Sequence, residues 1–226
     1  MPTHRFEFDW GLHTMLRLLD SHEFETVLDV GSGSGEHGRF FRHFGKKVYT
    51  VDLHKSADYV GDFMDVRFDR TFDVVWCSHV LEHQRNVGRF LEKLYTCLPD
   101  RGILAISVPT HPRSRVVSGH VTSWNAGLLC YNLVLAGFDC KEAQVLQTRE
   151  LSLIVRKSRA QGADVLAAAP YGRIEELAQY FPFPVADGGD AEVLEANWGD
   201  KDYELPPAPV PGGIEVVSKW ADIRID

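Results

Sequence analysis

Cysteine is scarce in this chain: four residues (Cys77, Cys97, Cys130 and Cys140) in 226, with no C-x-x-C pair. That excludes a zinc knuckle, a dithiol redox motif and a dense disulfide framework, and leaves buried free thiols as the expectation. Long apolar runs are missing as well. Nothing approaches the roughly 18 consecutive apolar residues of a membrane span, and the opening MPTHRFEFDW lacks the apolar core of a signal peptide. A cytoplasmic protein without a membrane span is expected. Basic charge is in deficit, with 24 Lys and Arg against 32 Asp and Glu, a net charge of -8. Without a basic stripe to neutralise phosphates, no nucleic-acid partner is expected, and a small molecule fits better.

The acidity is not spread evenly. Residues 1–157 hold 19 basic and 19 acidic side chains, whereas residues 158–226 hold 5 and 13. The same late stretch carries Pro182, Pro184, Pro206, Pro207, Pro209 and Pro211. It reads as an acidic, Pro-rich appended segment, helical near 174–180, with a final strand at IEVVSKW and a suggested place as a cap on the substrate side. The first 157 residues have a regular beat. Short apolar runs at TVLDV, KVYTVD, DYVG, FDVVWCS and GILAISVP look like strands buried on both faces, as in a parallel sheet. Helical spacing separates them: Leu12 to Leu19, the stretch after Asn86 with Phe90, Leu91, Leu94 and Leu98 on one face, and residues 123–136 up to Gly137. DCKEAQVLQT and LSLIVRK then read as an antiparallel hairpin. Strand and helix in alternation, closed by a hairpin, predict a doubly wound α/β sheet, mostly parallel with an antiparallel last strand. Ligands of such sheets bind at the carboxyl ends of the strands.

VLDVGSGSGEHG (27–38) is the densest glycine cluster. A strand ends at Asp29-Val30 and a helix begins near Glu36, so bare backbone at Gly31, Gly33 and Gly35 allows a ligand to lie against the main chain and the helix N-terminus. The spacing is G-x-G-x-G preceded by an acid, which differs from the G-x-G-x-x-G of dinucleotide sites. An Asp at this place suits an ammonium group better than a pyrophosphate.

With these residues in view, the chain resembles the class I S-adenosylmethionine-dependent methyltransferases over residues 26 to about 157. DVGSGSG (29–35) is similar to the family's glycine loop. The resemblance implies a Rossmann-like seven-stranded sheet, S-adenosyl-L-methionine as cofactor, and cofactor contacts at Asp29, Gly31, Gly33, Gly35, Asp52, Leu53, Asp62, Phe63 and Ser78. Asp52, ending the second strand of the sheet, would bind the ribose hydroxyls; Asp62 would take the adenine amino group and Phe63 line the ring. FDVVWCSHVLEH (72–83) matches the strand and loop at the mouth of the site, and GHVTSW with the helix ending LAGFD (119–139) matches bacterial members. Residues 1–157 are then the methyltransferase domain. Similarity of the region 109–139 and of YFPFP to bacterial surface-polysaccharide methyltransferases suggests a sugar hydroxyl as acceptor.

The activated methyl group leaves the protein to place a small-molecule acceptor in line and exclude water. A sugar hydroxyl is a weak acid and needs a base or a metal ion. His79 and His120, at strand ends, are the expected catalytic bases. His79, Glu82 and His83 stand at i, i+3 and i+4, yet a hard cation prefers oxygen donors over His79, so a metal-free reaction is expected. His111 reads as a surface loop residue. Two alternatives stay open from sequence: a non-catalytic S-adenosylmethionine-binding protein of the same fold, and a nicotinamide-dependent oxidoreductase, which the glycine spacing disfavours.

Overall fold

The computed structural model describes residues 3–110, 115–158, 172–209, 212–218 and 224–225. His111 and the end of the IEVVSKW stretch (219–220) lie outside them. The chain opens with a strand, β1 (Thr3–Phe8), and a helix, α1 (Leu12–Ser21). Then β2 (Thr26–Val30), α2 (Glu36–His43), β3 (Lys47–Asp52), the short β4 (Tyr59–Val60), β5 (Val74–Ser78), α3 (Val87–Thr96), β6 (Ile103–Pro109) and α4 (Ala126–Leu135) alternate. A hairpin follows, β7 (Gln144–Gln147) and β8 (Glu150–Arg156). The late segment supplies α5 (Ile174–Leu177), β9 (Glu195–Ala196), β10 (Asp202–Tyr203), β11 (Gly213–Ser218) and β12 (Arg224–Ile225).

The main sheet has eight strands in the order β4-β3-β2-β5-β6-β8-β7-β9. Seven of them follow the expected pattern, parallel from β4 to β6 with β8 antiparallel to β6. The count exceeds the expected seven because β9 adds to the free edge of β7. The chain runs outward from β2 to β4, then returns beside β2 with β5, which puts the topological switch between β2 and β5. A crevice outside the carboxyl ends of those strands is where an open α/β sheet accepts a ligand.

The alternation of side chains along each strand divides the core in two. Leu28, Val30, Val75 and Cys77 face α3 and α4, packing with Phe90, Leu91, Leu94, Leu129 and Leu133. Val27, Val74 and Trp76 face α1 and α2, packing with Met15, Leu16, Phe40 and Phe41. Each of these fully buried apolar side chains contributes about 1.5–3 kcal/mol by leaving water. All four cysteines are free and buried, as their spacing predicts. Helix α4 starts three residues after the expected Ser123, because the Asn125 side chain caps it by accepting the Leu128 N–H at 2.8 Å. Asn86 precedes α3 with no such side-chain bond.

Among the described residues, those of the late segment join the two halves of the main core. Leu177 and Phe181 complete the α3/α4 side of the core, while Trp198 and Tyr203 complete the α1/α2 side. Arg17 lies over both of those rings, 5.6 Å from Trp198 and 5.3 Å from Tyr203. Further on, β11 pairs in parallel with β1. The two ends of the chain thus form one ribbon, set beside the first turn of α2 around a cavity of about 570 Å³ that Asp9, Glu36 and Val217 help line. The boundary after residue 157 is one of composition, and described residues beyond it pack into both halves of the core.

Candidate active site

The crevice at the switch point is built from three loops. The first, Gly31 to Gly35, is tied to β3 by Gly31 N–H donating to the Val51 carbonyl at 2.8 Å. Gly31 has φ 71°, and a Cβ placed there would fall 2.4 Å from Val80 Cγ2, so only glycine lets the loop after β5 come this close. The second is the end of β3. Asp52 accepts the Gly33 N–H at 2.9 Å through Oδ2 and the His54 N–H at 2.7 Å through Oδ1. The third follows β4, where Gly61 N–H donates to the Asp52 carbonyl at 2.9 Å and the Asp62 carboxylate accepts the Met64 N–H at 2.8 Å.

The expected cofactor residues therefore converge, though not all in one role. Open space faces Gly33 and Gly35, with no atom within 4 Å of where a Cβ would lie, and Leu53 is 76% exposed beside Asp52. This is a cradle that an adenosine with vicinal hydroxyls fits: a carboxylate at a strand end, an apolar platform next to it, and bare backbone at a helix start. Three residues point elsewhere. Asp29 is buried on the face of β2 that packs under α2, close to Gly38, and burial raises its pKa to about 7 despite Arg42. Its Oδ2 accepts no hydrogen bond and lies 3.4 Å from where a Cβ on Gly38 would be. The Phe63 ring is buried against Phe90, centroids 5.2 Å apart, so it belongs to the core and is not laid out for adenine. Ser78 Oγ lies under Gly11, 2.9 Å from where a Cβ on that glycine would be.

His79 has both ring nitrogens against carboxylates. Nε2 is 3.0 Å from Glu150 Oε2 and Nδ1 is 3.4 Å from Glu82 Oε1. Burial opposes the charged ring, but the hydrogen bond to Glu150 and the close charges of Glu150 and Glu82 win and lift its pKa to about 9. At neutral pH it is an imidazolium with no lone pair, which removes the expected base; a left-handed backbone at φ 56° fixes it there. Trp10 stacks on it at 4.7 Å. The neighbouring Gly11 N–H donates to both Glu150 oxygens, at 2.8 and 2.9 Å. His37, from the GEHG end of the glycine loop, holds the same segment. It accepts from Trp76 Nε1 at Nδ1 (3.3 Å) and donates from Nε2 to the Trp10 carbonyl (3.0 Å), a neutral tautomer that its burial favours. Sequence reasoning passed over Trp10, His37 and Glu150, since their pairings span up to 139 residues.

His120 is brought in by a different route. Val121 and Thr122 N–H donate to the Glu82 carbonyl at 2.8 and 3.3 Å, and His83 Nδ1 donates to the Gly119 carbonyl at 2.9 Å. The loop is so close that a Cβ on Gly119 would lie 3.3 Å from that nitrogen. His83 and His120 meet edge to face at 5.0 Å. Glu82, His83 and His120 thus gather beside Val80, which touches the glycine loop.

Residues 7–173 match the methyltransferase-domain family. The fold is similar to that of the Burkholderia thailandensis 1,6-didemethyltoxoflavin-N1-methyltransferase solved with 1,6-didemethyltoxoflavin and S-adenosylhomocysteine. Identity is 20% and TM-score 0.55 over 64% of this chain and 77% of that one. It is also similar to the N-methyltransferase NodS from Bradyrhizobium japonicum WM9 in complex with S-adenosylhomocysteine, at 17% identity and TM-score 0.50, covering 66% and 86%. Haemonchus contortus phosphoethanolamine N-methyltransferase 2 in complex with S-adenosylmethionine gives 14% and 0.54, covering 66% and 53%. No curated protein sequence matches the chain.

Proposed function

This chain belongs to the methyltransferase-domain family, class I enzymes that use S-adenosylmethionine, and from that premise we propose that it methylates an oxygen of a small-molecule acceptor, a sugar hydroxyl in particular. One observation carries the reading: a polar cluster, Glu82, His83 and His120, stands beside the glycine loop at the switch point of the sheet. A neutral amine brings its own lone pair to a methyl sulfonium, whereas an alcohol needs help to lose its proton. Side chains able to provide that help are what this crevice offers.

The chain's own residues divide the work. Asp52 accepts the ribose hydroxyls of the cofactor, Leu53 gives its adenine an apolar face, and Asp62 receives the adenine amino group. Backbone at Gly31, Gly33 and Gly35 meets the amino-acid end. The bound cofactor supplies an electrophilic methyl group. Glu82, His83 and His120 stand where the acceptor hydroxyl would lie and assist the loss of its proton. His79 works by position: its cation keeps Glu82 and Glu150 compatible in one buried site and carries Trp10, which walls the acceptor side against water. The late segment pairs through β11 with β1, the strand that leads into Trp10.

The test is transfer of labelled methyl from S-adenosylmethionine to a panel of sugars, phenols, carboxylates and amines. Label in a hydroxyl-bearing sugar supports the reading. Label only in amines moves the acceptor to nitrogen, and cofactor binding without transfer to any acceptor supports a non-catalytic protein of the same fold.

A further inference from the structure

Glu82 is wholly buried, and neither of its carboxylate oxygens accepts a hydrogen bond. A carboxylate removed from water without donors is costly, and charge has to be met by charge. His79 Nδ1 meets one oxygen, at 3.4 Å from Oε1; the next cationic candidate, His83 Nε2, stands 3.9 Å from that same oxygen. The His83 ring is set by its other nitrogen. Because a carbonyl only accepts, Nδ1 carries the proton donated to Gly119, and Nε2 is the ring nitrogen turned toward Glu82. A histidine whose far nitrogen is anchored on a backbone carbonyl is how proteins orient an imidazole ligand. The backbone bonds from Val121 and Thr122 to Glu82 then bring His120 to the same place. One ligand atom from each of the three residues lies within 4.8 Å of the others.

We infer that Glu82, His83 and His120 form a binding site for one divalent transition-metal ion, held by two imidazole nitrogens and one carboxylate with further positions open. The inference rests on the proposed reaction for its purpose but not for its existence. Two imidazoles and one carboxylate suit zinc, iron or cobalt, whereas magnesium and calcium select all-oxygen sets. His79 is outside the set, since the Glu150 bond occupies its Nε2 and its Nδ1 is already paired with Glu82, so the His79-Glu82-His83 spacing visible in sequence picks the wrong first member. Ligand bonds of about 2.0–2.2 Å require the three donor atoms to draw in by roughly 1 Å, a movement available to the half-exposed His83 and its loop. An ion there would lower the pKa of the acceptor hydroxyl. The hydroxyl proton goes to water and the oxygen bonds the methyl carbon; the carbon–sulfur bond breaks with its electron pair left on sulfur.

The experiment uses the full chain, stripped with EDTA and dialysed, and titrated with Co²⁺ by visible absorption and with Zn²⁺ in competition with a chromophoric chelator. One ion per chain is expected, with cobalt bands of a nitrogen-containing site. His83→Ala and His120→Ala should each weaken binding by roughly 100-fold, and excess Mg²⁺ should not compete. His83 is near the surface, so its variant keeps the fold, checked by circular dichroism; Glu82→Gln serves as a third, buried variant. Failure of the folded wild type to bind Co²⁺ or Zn²⁺, or binding in both histidine variants as tight as in wild type, overturns the site. Calorimetry with S-adenosylmethionine on the stripped protein is read separately. Metal binding without cofactor binding would uphold the site while removing the proposed function.

Discussion

His79 Nε2 lies 3.0 Å from Glu150 Oε2, which joins the residue after β5 to the first residue of β8 across two intervening strands' worth of chain. The same carboxylate receives the Gly11 N–H twice, at the start of α1. One buried group therefore fixes a cation, a helix start and, through the His79–Trp10 stack, the Trp10 ring.

Glu150→Ala strands a buried imidazolium and a buried N–H together. Breaking such a pair by removing one partner costs about 3–5 kcal/mol. Urea denaturation should show that loss, and Glu150→Gln, which keeps an acceptor for Gly11, should recover part of it. A change below 1 kcal/mol in Glu150→Ala would show that the pair carries no weight.

Asp29 gives the fold a pH dependence of definite sign. Its folded pKa is about 7, above the unfolded value of 3.8, so the native state holds the proton more tightly. Its contribution is full below pH 3.8 and declines as pH rises toward 7, by roughly 4 kcal/mol at about 1.4 kcal/mol per pH unit. Asp29→Asn, uncharged throughout, should flatten stability between pH 4 and 7 relative to wild type when both are unfolded in urea. Parallel curves for the two proteins would place the titration elsewhere.

Truncation after residue 157 should not leave a working cofactor domain. It strips Leu177, Phe181, Trp198 and Tyr203 from two halves of the core. Phe or Trp truncations alone cost about 3–5 kcal/mol each, and marginal stability is about 5–15 kcal/mol in total. Circular dichroism and thermal melting of the shortened chain should show an unfolded or molten product. A cooperative melt near that of the full chain would make the segment a passenger.

Strands β2, β5 and β6 were legible because TVLDV, VVWCS and ILAISVP are apolar on both faces, the pattern of a parallel sheet's centre. The proposed cofactor cradle was readable for a related reason: glycines and acids that follow such strands sit at their carboxyl ends. β1 was not, because THRFEF mixes charged and apolar residues and its partner β11 is some 210 positions away. β9, two residues long, has no periodicity to read. His79 looked like a base because sequence displays its near neighbours Glu82 and His83 and hides Glu150, 71 positions on. The charge state of a histidine follows from its partners, and those come only with the fold. The packing of Phe63 against Phe90 likewise comes only with the fold.

The most direct measurement is calorimetric titration of S-adenosylmethionine into the wild-type protein and Asp52→Ala. One site with micromolar affinity, about -8 kcal/mol, is expected for the wild type. Loss of the charged acceptor in Asp52→Ala should weaken it by about 1.5–3 kcal/mol, roughly 10- to 150-fold. No heat with S-adenosylmethionine, together with clear binding of NAD, would contradict the assignment of the crevice.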